Sequence, residues 1–583
     1  DRTAFEMRGT ATVGIDFGSN NTCVYYNEDN KGATPVHFEN YRSVLVGQEN
    51  NDPKAIAENN ELLFFTNYPS GNGQTKSWLH EHDNRYNCYN ESLEVAGGVP
   101  VNRPNVLVKK MDQYEITTQA GILHYNMKWL DDDKGKQKKG AFLKSIWLQT
   151  CAYLYTNKIK PTTLEWSCPG SMMEADINEL DKIYNSLCKL TPIVGAKTTL
   201  AYHQNAVTEA EAVCSYALSQ NFGLNSNNMF LGIDVGGSTS DILLLAKDSD
   251  NGNKATLYRE SSVRLAAGVF FNAVIKSDTF RQALLSFHEG HKANVYVSNI
   301  KEILTEPSKA PYFLNSIFDQ LKTTEDYEEF YSSIDVNAKF VFTIPAYVTG
   351  MLLYYSGMLI GKTIKAEHLE RVSRVDVLSF GKGGRLFHWL INSAGVRATR
   401  EYYADCLNAG VRLVVGKELD VVYRDEIAED NKAEVAKGLC DPKELEKKAF
   451  SSESDICGES GVKYIMANGA PKELQAEDEL TGDYFANEMN NFDFSGIENF
   501  EKFMNIFLDF VSVKTHLYPQ ADNALRSDLA DLPNRIASYI CNNDTEYRKA
   551  RKSEDGSFHY HQPLIIAEGV CFLDTLIKKV FDQ

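Results

Sequence analysis

Two short stretches, residues 14–21 (GIDFGSNN) and residues 232–239 (GIDVGGST), are near copies of each other and decide the fold class. Each follows a stretch with strand character and leads into a second apolar, β-branched stretch. Each copy therefore predicts a hairpin whose first strand ends at an Asp, Asp16 or Asp234, with a turn of small residues behind it. Because the two copies lie far apart in the chain, they predict two domains of similar structure.

Turns of this composition suit one kind of ligand. Their backbone N–H groups can point at phosphate oxygens, and a carboxylate at the end of a strand can bind Mg²⁺ through the waters that this ion retains. One such turn from each domain predicts a nucleotide bound between two facing domains. The alternative of two ordinary hairpins gives no reason why an Asp should end the first strand of both.

The composition is that of a large globular protein with several cores. At 583 residues the chain exceeds what a single core supports, so about two to four domains are expected. The net charge of −19 argues against nucleic acid as a partner, since a surface that binds a phosphate backbone is usually basic.

Cysteine usage predicts a reducing, cytoplasmic location. The 11 Cys are an odd number and include no C-x-x-C pair, so they indicate neither a disulfide framework nor a zinc site. The chain starts at Asp1 without a Met or a signal peptide, and we expect it to be a piece of a longer protein. His203 and His288 lie in helical or apolar contexts and are expected to be structural.

Residues 344–361 carry no charge and reach the length of a membrane span. They contain Pro345, Gly350 and Gly357, and they lie between two regions of globular composition. We therefore predict a buried helix packed on a sheet, and no membrane span in this chain.

The remaining patterns divide the chain into further segments. Residues 27–127 are irregular and rich in Asn, Gly and Tyr, which predicts an inserted subdomain, and residues 270–335 are helical and charged, which predicts a second one. A strand ending at Phe380 runs into a glycine turn and then a helix, an arrangement that presents backbone N–H groups to a ligand. Helical spacing predicts three C-terminal helices, over 497–514, 522–541 and 563–581.

Five motifs in this order resemble those of the actin and heat-shock-seventy ATPase superfamily, most closely its heat-shock-seventy-like nucleotide-binding domains. Two are the hairpin turns, the second of which is similar to D-x-G-G-G-T-x-D. The others are residues 207–212 (VTEAEA), similar to N-E-P-T-A-A; residues 379–385 (SFGKGGR), similar to the adenosine motif V-G-G-S-x-R; and residues 433–438 (AEVAKG), similar to E-A-V-A-x-G. The resemblance covers residues 12–440.

This resemblance implies an α/β fold with duplicated actin-like (ribonuclease-H-like) domains that flank a nucleotide cleft. The expected boundaries are lobe I over 11–228 with an insertion over 27–127, lobe II over 229–440 with an insertion over 270–335, and a mainly helical C-terminal region over 441–583. The tail lacks the run of alternating strands that a chaperone's peptide-binding sandwich needs.

The resemblance also implies a role for each motif residue, with ATP or ADP and Mg²⁺ as the cofactors. Asp16 and Asp234 would hold Mg²⁺ through water, Glu209 would orient the attacking water, and Thr239 would bond to the γ-phosphate. A cation beside the transferring phosphate is expected at Lys128, with Lys110 as the second candidate. The phosphates are expected on the backbone of Gly18, Ser19, Asn20, Asn21, Gly236, Gly237, Ser238 and Thr239, and the adenosine against Gly381, Gly383, Gly384 and Arg385.

The expected function is slow, Mg²⁺-dependent ATP hydrolysis that drives a conformational switch acting on a protein partner. The first turn has Asn where the family usually has Thr, which predicts slow turnover. An actin-like filament protein and a pseudo-ATPase that only binds nucleotide are the alternatives. Long insertions would obstruct a repeating filament contact, and the form of the second turn disfavours a small-molecule kinase.

Overall fold

The fold is α/β, as predicted, with two large mixed sheets. The computed structural model describes residues 7–19, 21–38, 73–77, 79–82, 85–87, 122–124, 127–129, 133–169, 172, 174–193, 196–201, 207–219, 224–237, 239–248, 254–291, 314, 326–424, 433–442, 446–447, 456–465, 469–479, 492–494, 496–536, 538–539 and 562–581.

The strands fall into two large sheets and two small ones. In chain order they are β1 (Gly9–Phe17), β2 (Asn21–Glu28), β3 (Ala33–Pro35), β4 (Gln74–Lys76), β5 (Leu79–His82), β6 (Arg85–Asn87), β7 (Ile122–His124), β8 (Ile159–Cys168), β9 (Thr199–Leu200), β10 (Val207–Thr208), β11 (Asn228–Val235), β12 (Ser240–Asp248), β13 (Lys254–Val263), β14 (Arg374–Phe380), β15 (Asp420–Tyr423), β16 (Glu446–Lys447), β17 (Lys463–Ile465), β18 (Pro471–Glu473) and β19 (Phe492–Asp493).

Helices cover the large sheets and fill the C-terminal region. They are α1 (Asp133–Thr156), α2 (Glu174–Lys189), α3 (Glu209–Ser219), α4 (Gly268–Val274), α5 (Asp278–Gly290), α6 (Tyr327–Ala338), α7 (Thr343–Ala366), α8 (Arg385–Ala394), α9 (Val396–Val415), α10 (Glu434–Cys440), α11 (Glu498–Leu508), α12 (Ala521–Ala530) and α13 (Leu564–Phe581). Short 3₁₀ turns lie at Met127–Trp129, Lys339–Phe342 and Lys382–Gly384, and a π-helical turn lies at Asp509–Lys514.

The two large sheets have the same connectivity. Apart from the short strands β4 and β9 of the first sheet and β16 at the edge of the second, the first sheet has the order β3-β2-β1-β8-β10 and the second the order β13-β12-β11-β14-β15, so the five main strands of each read 3-2-1-4-5 in chain order. In both, the first three strands pair antiparallel and the last two join in parallel. The two halves of the chain thus carry like sheets, each built around one copy of the repeated stretch.

Both predicted hairpins are confirmed. In the first sheet β1 pairs with β2 and places Asp16 opposite Cys23. In the second sheet β11 pairs with β12 and places Asp234 opposite Asp241. Each repeat Asp is the penultimate residue of its strand, so both carboxylates are carried to the same end of equivalent strands.

Helix α10 joins the two sheets by close backbone contacts. A Cβ added at Gly14 of β1 would lie 2.6 Å from the carbonyl oxygen of Ala436 in α10. A Cβ added at Gly438 of α10 would lie 1.8 Å from the carbonyl oxygen of Ala212 in α3. Helix α3 in turn packs on the second sheet, where Val213 shares an apolar cluster with Phe230. Only glycine therefore fits where α10 crosses β1 and where α10 crosses α3.

The long apolar helix is buried, as predicted, and it packs on other helices as well as on the second sheet, where the Tyr355 hydroxyl lies 3.4 Å from that of Ser261 in β13. Among the described residues, only Lys339–Ala366 are long and apolar enough to cross a membrane, and their apolar window is completely buried. Two glycines allow α7 to pack closely on another helix, α9. A Cβ at Gly357 of α7 would lie 2.0 Å from the Leu407 carbonyl oxygen, and a Cβ at Gly410 of α9 would lie 2.1 Å from that of Tyr354. The backbones of α7 and α9 therefore meet directly.

The C-terminal region is part of the largest core. Helices α11, α12 and α13 lie close to the predicted bounds: α11 continues as the π-helical turn Asp509–Lys514, and after α12 ends at Ala530 the described residues 532–536 and 538–539 are again helical. Their apolar side chains form one continuous cluster with those of α7 and of the second sheet. A small sheet of β17, β18 and β19 also lies here, so the region is not helical throughout. The insertion over 270–335 is helical where it is described, whereas most of 27–127 lies outside the described residues.

Two buried carboxyl groups lie side by side in this core. The Glu459 carboxylate accepts hydrogen bonds from the backbone N–H groups of Ser460 (2.8 Å), Asn499 (2.8 Å) and Phe500 (2.9 Å), the last two in the first turn of α11. Burial, and then the neighbouring Glu459, raise the pKa of Glu568 in α13 well above its usual value. Burial raises the pKa of Glu459 as well, but its three N–H donors stabilise the ionised form. Glu568 is therefore the protonated member of the pair.

Replacing Gly438 by Ala should destabilise the protein by about 1–3 kcal/mol, because α3 and α10 must separate to admit a methyl group. Urea denaturation measures this change in the free energy of unfolding. Gly140→Ala is the matched control, since that glycine lies in α1 with no atom within 4 Å of an added Cβ. The control should be neutral or stabilised by up to about 1 kcal/mol. Equal effects of the two substitutions would contradict the close crossing.

Glu568→Gln should make the protein more stable at neutral and alkaline pH, on the order of 1 kcal/mol. The folded protein binds this proton more tightly than the unfolded chain. Its contribution to stability is therefore fully present below the ordinary Glu pKa of 4.5 and is lost as the pH rises through the folded value. The free energy of unfolding, measured across pH for the wild type, Glu568→Gln and the exposed control Glu501→Gln, tests this. Parallel curves for wild type and Glu568→Gln would refute it.

Candidate functional site

One cleft is bordered by both copies of the repeated turn. Gly18, Ser19 and Asn21 of the first turn and Gly236, Gly237 and Thr239 of the second turn line it. Its walls enclose about 690 Å³ of space, part of which is open solvent. The glycine turn after β14 adds a third wall. The two repeats therefore face a common cavity, although they belong to different sheets.

Most of the predicted site residues come together at this cleft. Asp16 does not line it, because its side chain is fully buried at the end of β1. Gly384 is also buried away from it, against Ser379. Asn20, Ser238 and Lys110 lie outside the described residues. The predicted residues that line the cleft are Gly18, Ser19, Asn21, Lys128, Glu209, Asp234, Gly236, Gly237, Thr239, Gly381, Gly383 and Arg385.

Glycines let the backbones of the second-sheet turns pack on one another. A Cβ at Gly268 would lie 2.3 Å from the carbonyl oxygen of Gly237, and one at Gly383 would lie 2.5 Å from that of Val235. At Gly381 the Cβ would lie 2.1 Å from a carboxylate oxygen of Asp234, and the backbone has φ +68°, which favours glycine. Close backbone packing fixes both the turns and the Asp234 carboxylate.

The first turn is held from a neighbouring segment. The Ser77 hydroxyl donates a hydrogen bond to the carbonyl oxygen of Gly18 (2.6 Å) and lies 2.9 Å from the Thr22 hydroxyl. Ser77 follows β4, which pairs with β2 at the edge of the hairpin. Sequence reasoning missed this residue, because it lies in the irregular insertion and no motif marks it.

Lys128 and Glu209 form a buried ion pair in the cleft. Lys128 lies in the short 3₁₀ turn Met127–Trp129, and its Nζ contacts the Glu209 carboxylate at the start of α3. The two side chains are 3% and 12% exposed. Because removing one member of such a pair leaves a buried charge without a counter-ion, the two groups constrain each other's position.

Asp241 is a lining residue that the sequence motif contained but that received no role. Burial, followed by the negative charge of Glu209, raises the pKa of Asp241 well above its ordinary value. The residue lies directly opposite Asp234 in the hairpin, where two like charges would repel. Both effects favour the protonated form of Asp241.

The balance of charge in the cleft favours an anion. Among its described lining residues the basic side chains are Lys128, Lys382 and Arg385, and the acidic ones are Glu209, Asp234 and Asp241. With Asp241 protonated, the cations outnumber the ionised carboxylates. The local charge of the cleft is thus opposite in sign to the net charge of the whole chain, which is −19. The backbone N–H groups of the glycine turns add further positive potential.

The carboxylates fit a hydrated cation better than a directly bound metal. Among the described residues no group of three or more His, Cys, Asp or Glu side chains could hold a metal ion. Mg²⁺ needs no such group, since it keeps several waters and uses one or two carboxylates together with substrate phosphates. Asp234 lies at the cleft wall and suits this role, whereas the buried Asp16 could reach an ion only through water.

Some residues that line the cleft were not predicted from the sequence, either because no motif contains them or because a motif contains them without giving them a role. Lys382 stands inside the glycine turn that the sequence singled out, but the motif resemblance assigns it no role. Phe271 of α4 and Pro169 after β8 carry no motif, and only the folded chain brings them to the cleft. No protein-family model matches this chain, and no curated protein is significantly similar to it in sequence.

Asp241→Asn should preserve the affinity of the cleft for an anionic probe, inorganic tripolyphosphate, at neutral pH and abolish its decline at alkaline pH. In the wild type the carboxyl group loses its proton as the pH rises, and the new negative charge then repels an anionic ligand. Calorimetric titration across pH, with the exposed Asp278→Asn as the control, measures the effect. A decline of equal size in both variants would show that Asp241 is not the titrating group.

Proposed function

We propose that this protein is a Mg²⁺-dependent ATP-binding protein of the heat-shock-seventy-like kind, with two actin-like lobes around its cleft. The observation that carries the proposal is that two copies of one phosphate-type turn, from sheets of equal connectivity, line one cavity. A third glycine turn, the one similar to the adenosine motif, lines the same cavity. A polyphosphate with a nucleoside at one end matches two phosphate-type turns and one glycine-lined wall.

The charges of the cleft support a phosphate ligand. Lys128 and Lys382 supply ammonium groups at the cleft wall, and burial favours the uncharged form of Asp241, whose ionised form would oppose binding. Asp234 would hold hydrated Mg²⁺, which neutralises phosphate charge when bound. The backbone N–H of Gly237 would receive a phosphate oxygen, whereas that of Gly236 already donates to the Thr239 carbonyl oxygen (2.8 Å).

The ion pair suggests how the site acts on ATP. A terminal phosphate entering the cleft competes with Glu209 for the Lys128 ammonium group. Once Lys128 bonds to the phosphate, the Glu209 carboxylate is released and accepts a hydrogen bond from a water, which it orients toward phosphorus. Positioning of this kind dominates catalysis of phosphoryl transfer. Hydrolysis would be slow, since this pair must first separate.

The elements that carry the site also connect the two sheets. Glu209 is the first residue of α3, and α3 crosses α10 at Gly438, while α10 lies on β1 at Gly14. A movement of Glu209 would therefore shift α3 and its contact with α10, which lies between the two sheets. We infer that nucleotide state alters the relative position of the lobes and thereby a surface that a protein partner reads.

A nucleotide-binding protein without hydrolysis is the second candidate. It is favoured by the burial of the Lys128–Glu209 pair, because a Glu209 carboxylate that stays on Lys128 with ATP bound cannot orient a water. The two candidates differ in turnover alone and share the binding site.

Asp234→Ala should abolish stabilisation of the protein by ATP and Mg²⁺, since a carboxylate fixed at the cleft wall is lost. Glu209→Ala should preserve ATP binding and lower turnover by about 10²-fold or more, as loss of a positioned catalytic group does. Thermal shifts with ATP, ADP and GTP, with and without Mg²⁺, and phosphate release measure the two effects. Asp278→Asn in the exposed first turn of α5 is the control.

Two outcomes would contradict the proposal. If no nucleotide changes the unfolding temperature of the wild type, nucleotide binding is rejected. Unchanged turnover in Glu209→Ala would reject the role of Glu209 while leaving binding intact. No turnover in the wild type, together with tight binding, would favour the second candidate.

A further inference from the structure

Lys382 lies where the two sides of the cleft come together. It belongs to the glycine turn after β14, on the side of the second sheet, and it lines the cleft. Its Nζ lies 3.5 Å from the side-chain oxygen of Asn21, the first residue of β2 in the first sheet. Lys382 therefore reaches from the third glycine turn to the first repeated turn.

The main chain of Lys382 is fixed on both sides. Gly381 precedes it with φ +68°, and the backbone N–H of Gly384 donates to the Gly381 carbonyl oxygen (3.0 Å). Arg385 Nε donates to the Lys382 carbonyl oxygen (2.6 Å). The position from which the lysine side chain extends is thus set by the turn.

The two other cations of the cleft are engaged differently. Lys128 is paired with Glu209, and the Arg385 guanidinium lies 5.6 Å from the ring centre of Trp389 while it bonds to the Lys382 carbonyl. The contact of Lys382 with Asn21 is long for a hydrogen bond, and its acceptor is a neutral amide. Such a contact is weaker than one between an ammonium group and an anion.

We propose that Lys382 is a phosphate-binding residue that exchanges its contact with Asn21 for a phosphate oxygen of the nucleotide. The inference rests on the proposed function and specifies it further. One ammonium group from the adenosine-side turn would then contact the phosphate chain next to the first repeated turn. A polyphosphate would then link the two sides of the cleft through its phosphate chain, and a nucleoside without phosphates would not.

A purely structural role predicts a different pattern. If Lys382 only tied its turn to Asn21, its loss would weaken the cleft for all ligands alike, including adenosine. If it binds phosphate, its loss affects ligands according to whether they carry a phosphate chain, and the effect weakens at high salt because charges are screened.

The experiment compares wild type, Lys382→Gln, Lys382→Arg and the exposed control Lys136→Gln by isothermal titration with ATP, ADP, adenosine and inorganic tripolyphosphate. Lys382→Gln should bind ATP, ADP and tripolyphosphate at least tenfold more weakly than wild type, with adenosine affinity unchanged within about twofold. Lys382→Arg should restore part of the loss, since it keeps the charge. Lys136→Gln should match wild type throughout.

The possible results separate the inference from the proposed function. If the wild type binds ATP and Lys382→Gln binds it equally well, the role of Lys382 is refuted and the proposed function stands. A loss of the same size for adenosine and ATP also refutes it, in favour of a structural tie. If the wild type binds none of the four ligands, the proposed function is wrong and the inference falls with it. Thermal unfolding of each variant confirms that it is folded.

Discussion

The close approach of backbones at glycines is the constraint on which the cleft depends. At Gly268, Gly381 and Gly383 a carbonyl or carboxylate oxygen occupies the space that any Cβ would need. The same holds at Gly14 and Gly438, where α10 meets β1 and α3. The contacts at Gly14 and Gly438 fix how α3 and α10 stack between the two sheets. The charged side chains of the cleft then act at short range, in a region from which water is partly excluded.

Charge in the cleft is arranged against the trend of the whole molecule. A chain of net charge −19 gathers two lysines and an arginine at one cavity, and burial there raises the pKa of Asp241. The buried pair of Lys128 and Glu209 satisfies both groups when no anion is present. Local geometry, and not overall composition, thus decides which ligands an acidic protein can accept.

Some of this arrangement follows from the sequence and some does not. Repeated GID turns and β-branched runs specify both hairpins, since the pattern is local and each strand ends in a recognisable turn. The packing of the tail onto α7 could not be predicted, because amphipathic helices indicate that an apolar face exists without indicating its partner. Ser77 and Phe271 join the site through contacts distant in sequence, for which a single chain gives no local signal.

The continuous core of the second sheet and the C-terminal helices has a practical consequence for dissecting the protein. A fragment that ended near residue 440, where the motif resemblance stops, would lack α11 and α13. It would leave a large apolar surface around Tyr347 and Met351 open to water. Exposed surface of that size promotes aggregation. The half of the cleft carried by the second sheet is thus inseparable from the tail, and the region after 440 is a structural component of the domain before it.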